Sequence, residues 1–181
     1  MAIRRSREDY FELALLVLDE SGFPGLSASA LCDRMAVTRG SFYHHFDSFE
    51  AFVGGLLSYW ERHYSRDLIT AAAAVDDISA MIKRQVQQAV SLPHGAEVAL
   101  RAWATINPQV AAAQQRVDRL RRDGLTQSLV DHGVARAIAE ICANITLNAL
   151  IGAQMSGTTG EQMNDMYEEL ASIFRQGNVL A

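Results

Sequence analysis

The stretch from Ser27 to Phe46, S-A-S-A-L-C-D-R-M-A-V-T-R-G-S-F-Y-H-H-F, limits what this chain can fold into more than any other segment. Leu31 and Met35 lie four residues apart, which places both on one face of a short helix. After a break in the pattern, Phe42 and Phe46 repeat that spacing, so a second short helix follows. Two short helices joined by a tight turn predict a helix-turn-helix, whose second helix enters the major groove of DNA.

Hydroxyl side chains mark the starts of both predicted helices. Ser27 stands where the first begins and Thr38 where the second begins, and each can accept a hydrogen bond from a free backbone N–H of the first turn. The outward face of the second helix is predicted to be small, cationic and aromatic. Its residues are Arg39, Gly40, Tyr43 and His44.

This stretch resembles the DNA-binding segment of the TetR (tetracycline repressor-like) family of bacterial transcription regulators. The similarity runs without a gap from Leu31 to Phe46, and the run from Phe42 to Glu50 is its most specific part. Two positions depart from the family pattern. Ala36 stands in the turn where the family usually has glycine, and Phe49 stands where it usually has a lysine that clamps phosphate.

The resemblance implies an all-α fold of about nine helices. An N-terminal three-helix domain containing the helix-turn-helix, residues 1–47, is expected to bind DNA. Residues 48–181 are expected to form a helical domain for ligand binding and dimerisation. Helix 4 is predicted to start near Asp47 or Ser48 and to continue to about Leu68, which would make it the mechanical link between the two domains.

The chemistry of the side chains suggests individual roles at DNA. The Tyr43 hydroxyl suits a phosphate oxygen, and hydroxyl groups at helix starts favour phosphate as well. Arg39 can fork onto guanine or clamp phosphate, and the sequence does not decide between them. Gly40 allows the backbone close to the groove, while the role of His44 follows from the resemblance. The predicted DNA-binding set is Ser27, Ser29, Thr38, Arg39, Gly40, Ser41, Tyr43 and His44.

The charge distribution is consistent with a protein that binds DNA through one small surface and not with a protein that coats DNA. The net charge is −5, and even residues 1–47 carry five arginines against seven carboxylates. The cations are segregated, however, with Arg4, Arg5 and Arg7 at the N-terminus and Arg34 and Arg39 on or beside the two short helices. Arginines between 116 and 122 are expected to serve solubility, with a second nucleic-acid patch as the alternative.

Aromatic and amide side chains in the second domain predict a pocket for a small-molecule effector of unknown identity. The candidate ligand contacts are Trp60, His63, Tyr64, Met81, Gln85, Trp103, Asn144 and Asn148. The alternative is that residues at helical spacing are ordinary core. Asn144 and Asn148 stand four apart on an apolar helix, so we expect them to be buried amides that need partners.

The last two helices are predicted to be the dimer interface. Both carry wide apolar stripes, and a helix that apolar must be covered on more than one side. In TetR-like proteins these two helices pair with their symmetry mates in a four-helix bundle. The resulting dimer has two identical DNA-binding domains, which suit operator half-sites one helical turn apart. The predicted interface residues are Ile138, Ile141, Ile145, Met163, Met166, Tyr167, Leu170 and Phe174.

Other classes of protein find little support in the sequence. No Gly-rich phosphate loop, nucleophile elbow, His-Glu-x-x-His or Cys-x-x-Cys motif is present, so we expect no enzyme, cofactor or metal site. No signal peptide or membrane span is expected either, and Cys32 and Cys142 are predicted to be buried free thiols in a reducing cytoplasm.

The predicted function is therefore a ligand-responsive transcription regulator. It would bind a palindromic operator as a homodimer, and a small molecule would release it, which makes repression the expected polarity with activation left open. The rival hypothesis is a helical ligand-binding or scaffolding protein of the same fold that has weak or lost DNA binding, since Phe49 replaces the expected lysine.

Overall fold

The computed structural model describes residues 5–67, 69–70 and 77–176, and in these ranges the chain is helical without strands. This confirms the predicted all-α class with about nine helices. They are α1 (Arg7–Ser21), α2 (Ala28–Met35), α3 (Arg39–His45), α4 (Phe49–Glu61), α5 (Ile78–Val90), α6 (His94–Ala104), α7 (Pro108–Asp131), α8 (Arg136–Met155) and α9 (Gly160–Gln176).

The described residues form two compact units. The first runs to Arg62 and also includes Pro93–Gln114, and the second comprises His63–Leu92 and the chain from Gln115 onward. The first unit therefore adds α6 and the beginning of α7 to the first four helices. The predicted boundary after residue 47 falls within the first unit and stays a prediction.

An aromatic cluster forms the core of the first unit. Tyr10 on α1 lies with its ring centroid 5.6 Å from that of Phe42 and 5.7 Å from that of Phe46, both edge-on. Phe52 on α4 closes the cluster at 5.3 Å from Phe42 and 5.0 Å from Phe46. Edge-to-face rings at these distances add to the free energy gained by burial. The cluster fixes α3 against α1 and α4.

Helix α6 packs closely on α1 because small residues face it. A Cβ on Gly95 would lie 2.2 Å from Oδ1 of Asp19, so a larger residue there would have to displace that carboxylate. Ala96 and Leu100 on the same helix are fully buried. Glu97 is also fully buried and accepts a hydrogen bond of 3.2 Å from the indole N–H of Trp60 on α4.

The second unit has its core between α5, α7, α8 and α9. One cluster joins Val86 of α5 to Leu147 and Leu150 of α8 and to Met163 and Tyr167 of α9. A second cluster packs the following residues together: Met81, Leu129, Val134, Ala139 and Cys142. These clusters bury one face of α8 and most of the apolar face of α9.

The chain is helical nearly as far as predicted, but the α-helix α4 is interrupted before Leu68. It ends at Glu61 and is followed by a π-helical turn over Arg62–Arg66, with Asp67 helical after it. A π-turn contains an extra residue, so side chains after it face a different direction from that of a continuous α-helix. Leu68, the predicted end of the helix, the alanine run 71–75 and the N-terminal Met1–Arg4 lie outside the described residues.

Candidate nucleic-acid interface and ligand cavity

The helix-turn-helix forms with the caps that the sequence indicates. The Ser27 hydroxyl accepts a hydrogen bond of 3.1 Å from the Ala30 N–H at the start of α2. The Thr38 hydroxyl accepts one of 3.3 Å from the Ser41 N–H at the start of α3. Each cap satisfies a backbone donor that has no partner within its helix. The positions of both short helices are thereby fixed by local chemistry.

The turn between the two helices depends on a left-handed residue. Ala36 has φ 54° and ψ 45°, and its N–H donates to the Asp33 carbonyl at 3.2 Å. The Val37 N–H then donates to the Cys32 carbonyl at 3.0 Å. Within the described ranges, Ala36 is the sole non-glycine residue with a positive φ. A Cβ in this conformation is crowded by the following carbonyl oxygen, so the turn is strained.

Ala36→Gly is therefore expected to stabilise the protein. Relief of the left-handed strain outweighs the extra freedom that glycine gives the unfolded chain, and we expect about 1 kcal/mol and a rise in Tm of about 2–4 °C. Ala112→Gly, at an exposed position inside α7, should lower stability by about 0.5–1 kcal/mol. Thermal unfolding at matched protein concentration measures both variants. A lower Tm for Ala36→Gly would show that the turn carries no such strain.

One face of α3 is open to solvent. Arg39, Gly40 and His44 are exposed, and Tyr43 is 51% exposed although its ring packs edge-on against Phe42 at 5.3 Å. Phe42 is fully buried on the opposite side of the helix. The structure thus brings a guanidinium, a phenol and an imidazole together on one helical surface, as predicted. We call Arg39, Gly40, Tyr43 and His44 the α3 surface.

The remaining predicted DNA-binding residues are distributed around this surface. Ser27 and Thr38 are exposed, and Ser29 is half-buried. Ser41 is half-buried as well, and its hydroxyl lies 3.3 Å from the Tyr10 hydroxyl in a hydrogen bond. Ser41 thus also joins α3 to α1. The roles of these residues at DNA stay predictions.

Arg7 is engaged within the domain. Its Nη1 donates to the His45 carbonyl at 3.1 Å, and its guanidinium carbon lies 4.7 Å from the centroid of Phe46. A cation at the end of a helix and above an aromatic face is favourable on both counts. Arg7 therefore anchors the end of α3, and the Arg34 guanidinium forms an ion pair of 2.6 Å with Glu20. Arg39 is the cation that α3 itself presents to solvent.

Phe49 is part of the aromatic cluster. Its ring centroid lies 5.6 Å from that of Phe52 and 6.5 Å from that of Phe42. The position of the expected lysine is thus occupied by a half-buried packing residue. Its side chain stabilises the domain and has no group that can contact phosphate.

Both cysteines are buried free thiols, as predicted. Burial raises the pKa of Cys32, with a smaller contribution from the carboxylate of Asp33. Burial likewise raises the pKa of Cys142. A raised pKa keeps a thiol protonated and therefore poorly nucleophilic. The Cys32 Sγ–H donates to the Thr38 carbonyl at 3.6 Å, so this thiol links α2 to the start of α3.

The second unit contains a cavity of about 140 Å³. Its wall is mainly apolar, and the residues come from the π-turn and from α5, α7, α8 and α9. Tyr64, Ser65 and Ile69 follow α4, whereas Arg121 and Leu125 come from α7. Most of the remaining wall is Ile82, Val86, Leu92, Leu129, Leu147, Leu150, Tyr167, Leu170 and Phe174.

Two of the predicted ligand contacts, Tyr64 and Gln85, line this cavity. Trp60 and Trp103 belong instead to the first unit, where Trp103 stacks on Phe23 with centroids 6.0 Å apart. Met81 is core, and His63 lies 3.4 Å from the Asp67 carboxylate.

The expectation that Asn144 and Asn148 are buried amides is wrong. Both are exposed on α8 instead of buried, and the Asn144 amide donates to the Glu140 carbonyl one turn earlier. Neither lines the cavity. Their face of α8 points away from the core of the second unit.

The predicted dimer residues on α8 are exposed, whereas those on α9 are buried or half-buried. On α8, Ile138 is 36% exposed, Ile141 55% and Ile145 43%. On α9, Met163 and Tyr167 are buried in the core of the second unit, and the other three are half-buried against it: Met166, Leu170 and Phe174. The α9 stripe therefore packs inward, because α5 and α8 cover it. The exposed apolar surface lies on α8.

No group of three or more His, Cys, Asp or Glu side chains that could hold a metal ion occurs in the part of the chain that the structure describes.

Helix α8 is long and apolar enough to cross a membrane. Its mean hydropathy is 1.2, and 39% of that stretch is buried. By itself this is weak evidence for a membrane span, because soluble proteins also contain such helices.

Comparison with known proteins identifies the N-terminal region. The sequence model of the bacterial regulatory proteins of the tetR family matches residues 11–54, which include the whole helix-turn-helix. No curated protein sequence matches the chain significantly.

Solved structures match nearly the full length of the chain. A transcriptional regulator from Rhodococcus sp. Rha1 is similar with a TM-score of 0.79 and 19% identity, over 96% of this chain and 97% of that one. A TetR-family regulator from Streptomyces coelicolor has a TM-score of 0.77 and 16% identity over 97% and 96%. A transcriptional regulator from Saccharomonospora viridis, solved in complex with choline, has 0.75 and 13% over 92% and 95%. At these identities the likeness shows the fold alone.

Proposed function

Because the chain belongs to the TetR family of bacterial regulatory proteins, we propose that it represses transcription as a homodimer bound to a palindromic operator and is released by a small molecule. A fold of this family supports a DNA-binding transcription regulator, and regulators of the family are generally non-enzymatic. We place its action in the cytoplasm, where bacterial operators lie. The finer parts of the proposal rest on three features of the molecule.

The α3 surface is the observation that carries DNA binding. Arg39 offers five donors in a rigid fork, and Tyr43 offers a hydroxyl on a ring held by Phe42. Gly40 leaves room for the helix to approach base edges. The starts of α2 and α3, capped by Ser27 and Thr38, have further backbone N–H groups that are suited to bind phosphate. The surface combines groups for positioning on phosphate with groups for reading bases.

The outer face of α8 supports the homodimer. Its exposed residues follow one another at spacings of three and four, in the order Ile138, Ile141, Ile145, Asn148, Gly152 and Met155. This is the spacing of a seam between paired helices. A Cβ on Gly152 would meet nothing within 4 Å, so the fold of the single chain does not require glycine there. A glycine on the seam would let a mate helix approach closely.

We therefore assign the apolar outer face of α8 to a second copy of the chain and not to a membrane. Its opposite face is buried by Ala139, Ala143, Leu147 and Leu150, so a mate on the outside would cover the helix from both sides. Asn148 at the middle of the seam can pair with its own copy and fix the register of the two helices.

The cavity supports release by a ligand. Tyr64 and Ser65 line it and lie three and four residues beyond Glu61, the last residue of α4. The regulator of the same fold solved with choline supports a small molecule as the ligand. We propose that a ligand favours a conformation in which the two α3 surfaces no longer match the spacing of the half-sites. It can shift that equilibrium only by its difference in affinity for the two conformations.

One observation favours the rival hypothesis of a helical protein that has lost strong DNA binding. The Phe49 side chain packs on Phe42 and Phe52, so it provides no cation in place of the phosphate-clamping lysine. The α3 surface would then have to supply operator binding without that clamp.

Selection of bound sequences from random DNA distinguishes the two hypotheses. The proposal predicts enrichment of a palindrome whose half-sites are centred about one helical turn apart, with affinity that falls steeply as salt rises. Enrichment of no sequence would favour the ligand-binding or scaffolding protein.

A further inference from the structure

We propose that the cavity of the second unit binds a small, mainly apolar ligand through one hydrogen-bond acceptor, and that the Ser65 hydroxyl is the group that holds this acceptor. The inference rests on the proposed function for its biological meaning, but its physical basis is the cavity itself.

Ser65 has an unusual environment for a serine. Its side chain is 1% exposed, and its hydroxyl oxygen is buried without a hydrogen-bond partner. Burial of an unsatisfied hydroxyl destabilises a protein, so such groups are rare unless something else satisfies them. Ser65 also belongs to the π-turn Arg62–Arg66 and lines the cavity. Single π-turns within helices are frequent at functional sites.

The π-turn is held in place from the side of α7. Arg121 donates from Nη2 to the Tyr64 carbonyl at 3.0 Å, immediately before Ser65. Gly124, one turn further along α7, is in close contact with Ile69, since a Cβ there would lie 2.7 Å from Cγ2 of that residue. The position of the Ser65 hydroxyl at the cavity is thus fixed by contacts within the second unit.

The charges of the wall define the polarity of the ligand. Among the described residues of the wall, Arg121 is the one with a formal charge, and none of them carries a carboxylate. The positive charge of Arg121 disfavours a cationic ligand in the cavity, whereas a carbonyl or carboxylate can accept from Ser65 and is attracted to Arg121. Cys142 also lines the wall, but as a protonated thiol it is not a partner for covalent capture.

The volume and lining define the size and the apolar character. At about 140 Å³, the cavity is comparable to an apolar cavity known to accept benzene. Leucine, isoleucine and valine side chains from α5, α7 and α8 cover most of it, with the rings of Tyr64, Tyr167 and Phe174 beside them. The ligand class is therefore a single ring or short branched chain with one carbonyl or carboxylate.

Three probes that share one ring test the polarity. Benzoate and acetophenone carry an acceptor, as an anion and as a neutral group, whereas benzylamine carries a cation. Amide NMR titration of the DNA-free protein is expected to give saturable shifts at Tyr64, Ser65 and Leu147 with one or both acceptor probes and not with benzylamine. Equal binding of benzylamine, or no binding of either acceptor probe, would overturn the inference.

Ser65→Ala tests the hydroxyl. It should raise the Kd of the acceptor probes by about tenfold, the loss expected for one hydrogen bond. Ser128→Ala is the matched control, because Ser128 is also a buried hydroxyl without a partner but does not line the cavity. Its Kd values should equal those of the wild type. Unchanged Kd values in Ser65→Ala would assign the anchor elsewhere.

Thermal unfolding without ligand separates an anchor from a structural residue. A serine that stabilises the fold loses Tm when it becomes alanine, whereas removal of an unsatisfied hydroxyl should leave the Tm of Ser65→Ala unchanged or higher. Failure of this inference is also distinct from failure of the proposed function. Probe binding is measured without DNA, and operator selection is carried out without a probe.

Discussion

Arg39→Ala is expected to weaken binding to the selected operator by about tenfold or more at fixed salt. The guanidinium is the exposed cation of α3, and a lost contact costs about 1–3 kcal/mol in each half-site. The same variant decides how Arg39 acts. Loss of a phosphate contact reduces the salt slope by about one per contact and weakens all sequences alike, whereas loss of a guanine contact relaxes the preference at one position.

Tyr43→Phe is the companion variant. It retains the ring that packs on Phe42 and removes only the hydroxyl, so the fold should be unchanged while affinity falls by about 1.5–3 kcal/mol if the hydroxyl donates to phosphate. Gel shift and fluorescence anisotropy at several salt concentrations measure both variants.

Arg119→Ala is the matched control for charge, since Arg119 is an exposed arginine of α7 in the second unit. It should leave operator binding unchanged. If it weakened binding as much as Arg39→Ala, the arginines of α7 would form the second nucleic-acid patch and the α3 surface would lose its special role. Unchanged binding in both Arg39→Ala and Tyr43→Phe would contradict the assignment of the DNA interface.

Ile141→Glu combined with Ile145→Glu is expected to separate the dimer into folded monomers. The two side chains are 55% and 43% exposed in the single chain, and a mate helix would bury them against their own copies. Burial of each isoleucine contributes about 1.5–3 kcal/mol, and the glutamates would instead place like charges across the axis without partners. Operator affinity should fall by about two orders of magnitude or more, because the helix-turn-helix of the second protomer is no longer held next to the first.

Leu16→Glu is the control for this variant. Leu16 is 56% exposed on α1, so the change adds the same charge at an equally exposed apolar site away from α8. Sedimentation velocity should give a dimer for Leu16→Glu and a monomer for the double variant, with the same helical content by circular dichroism. A double variant that remains a dimer would contradict the α8 interface.

The helix-turn-helix could be predicted from the sequence because its determinants are local. The caps at Ser27 and Thr38 and the spacing of Phe42 and Phe46 act within a few residues, and the left-handed turn at Ala36 forms even without the usual glycine. Here the backbone pattern of the motif prevails over the preference of a single residue.

The cavity could be predicted only in part, because its walls depend on which helices meet. Trp60 finds its partner Glu97 at a separation of 37 residues, and no periodicity in the sequence indicates that contact. No pattern in the sequence indicates Ser65 as a cavity residue, because the π-turn changes the direction that side chains face after Glu61.

The two terminal helices show the same difficulty. Both α8 and α9 have a periodic apolar stripe, yet Met163 is buried within its own unit while Ile141 is exposed. Periodicity indicates that a face is covered but not by which chain. The one signal that distinguishes them is Gly152, whose exposed position on α8 leaves space for a neighbouring helix.

The most direct test of the central claim is a hydroxyl-radical footprint on the selected operator. A homodimer that places one α3 in each half-site of the operator should protect two segments of the DNA backbone. These segments should be related by a two-fold axis and centred about 10 base pairs apart. Arg39→Ala should weaken the protection of both segments together, so that about tenfold or more protein is needed for the same protection. A single protected segment, or protection that Arg39→Ala leaves unchanged, would contradict the account.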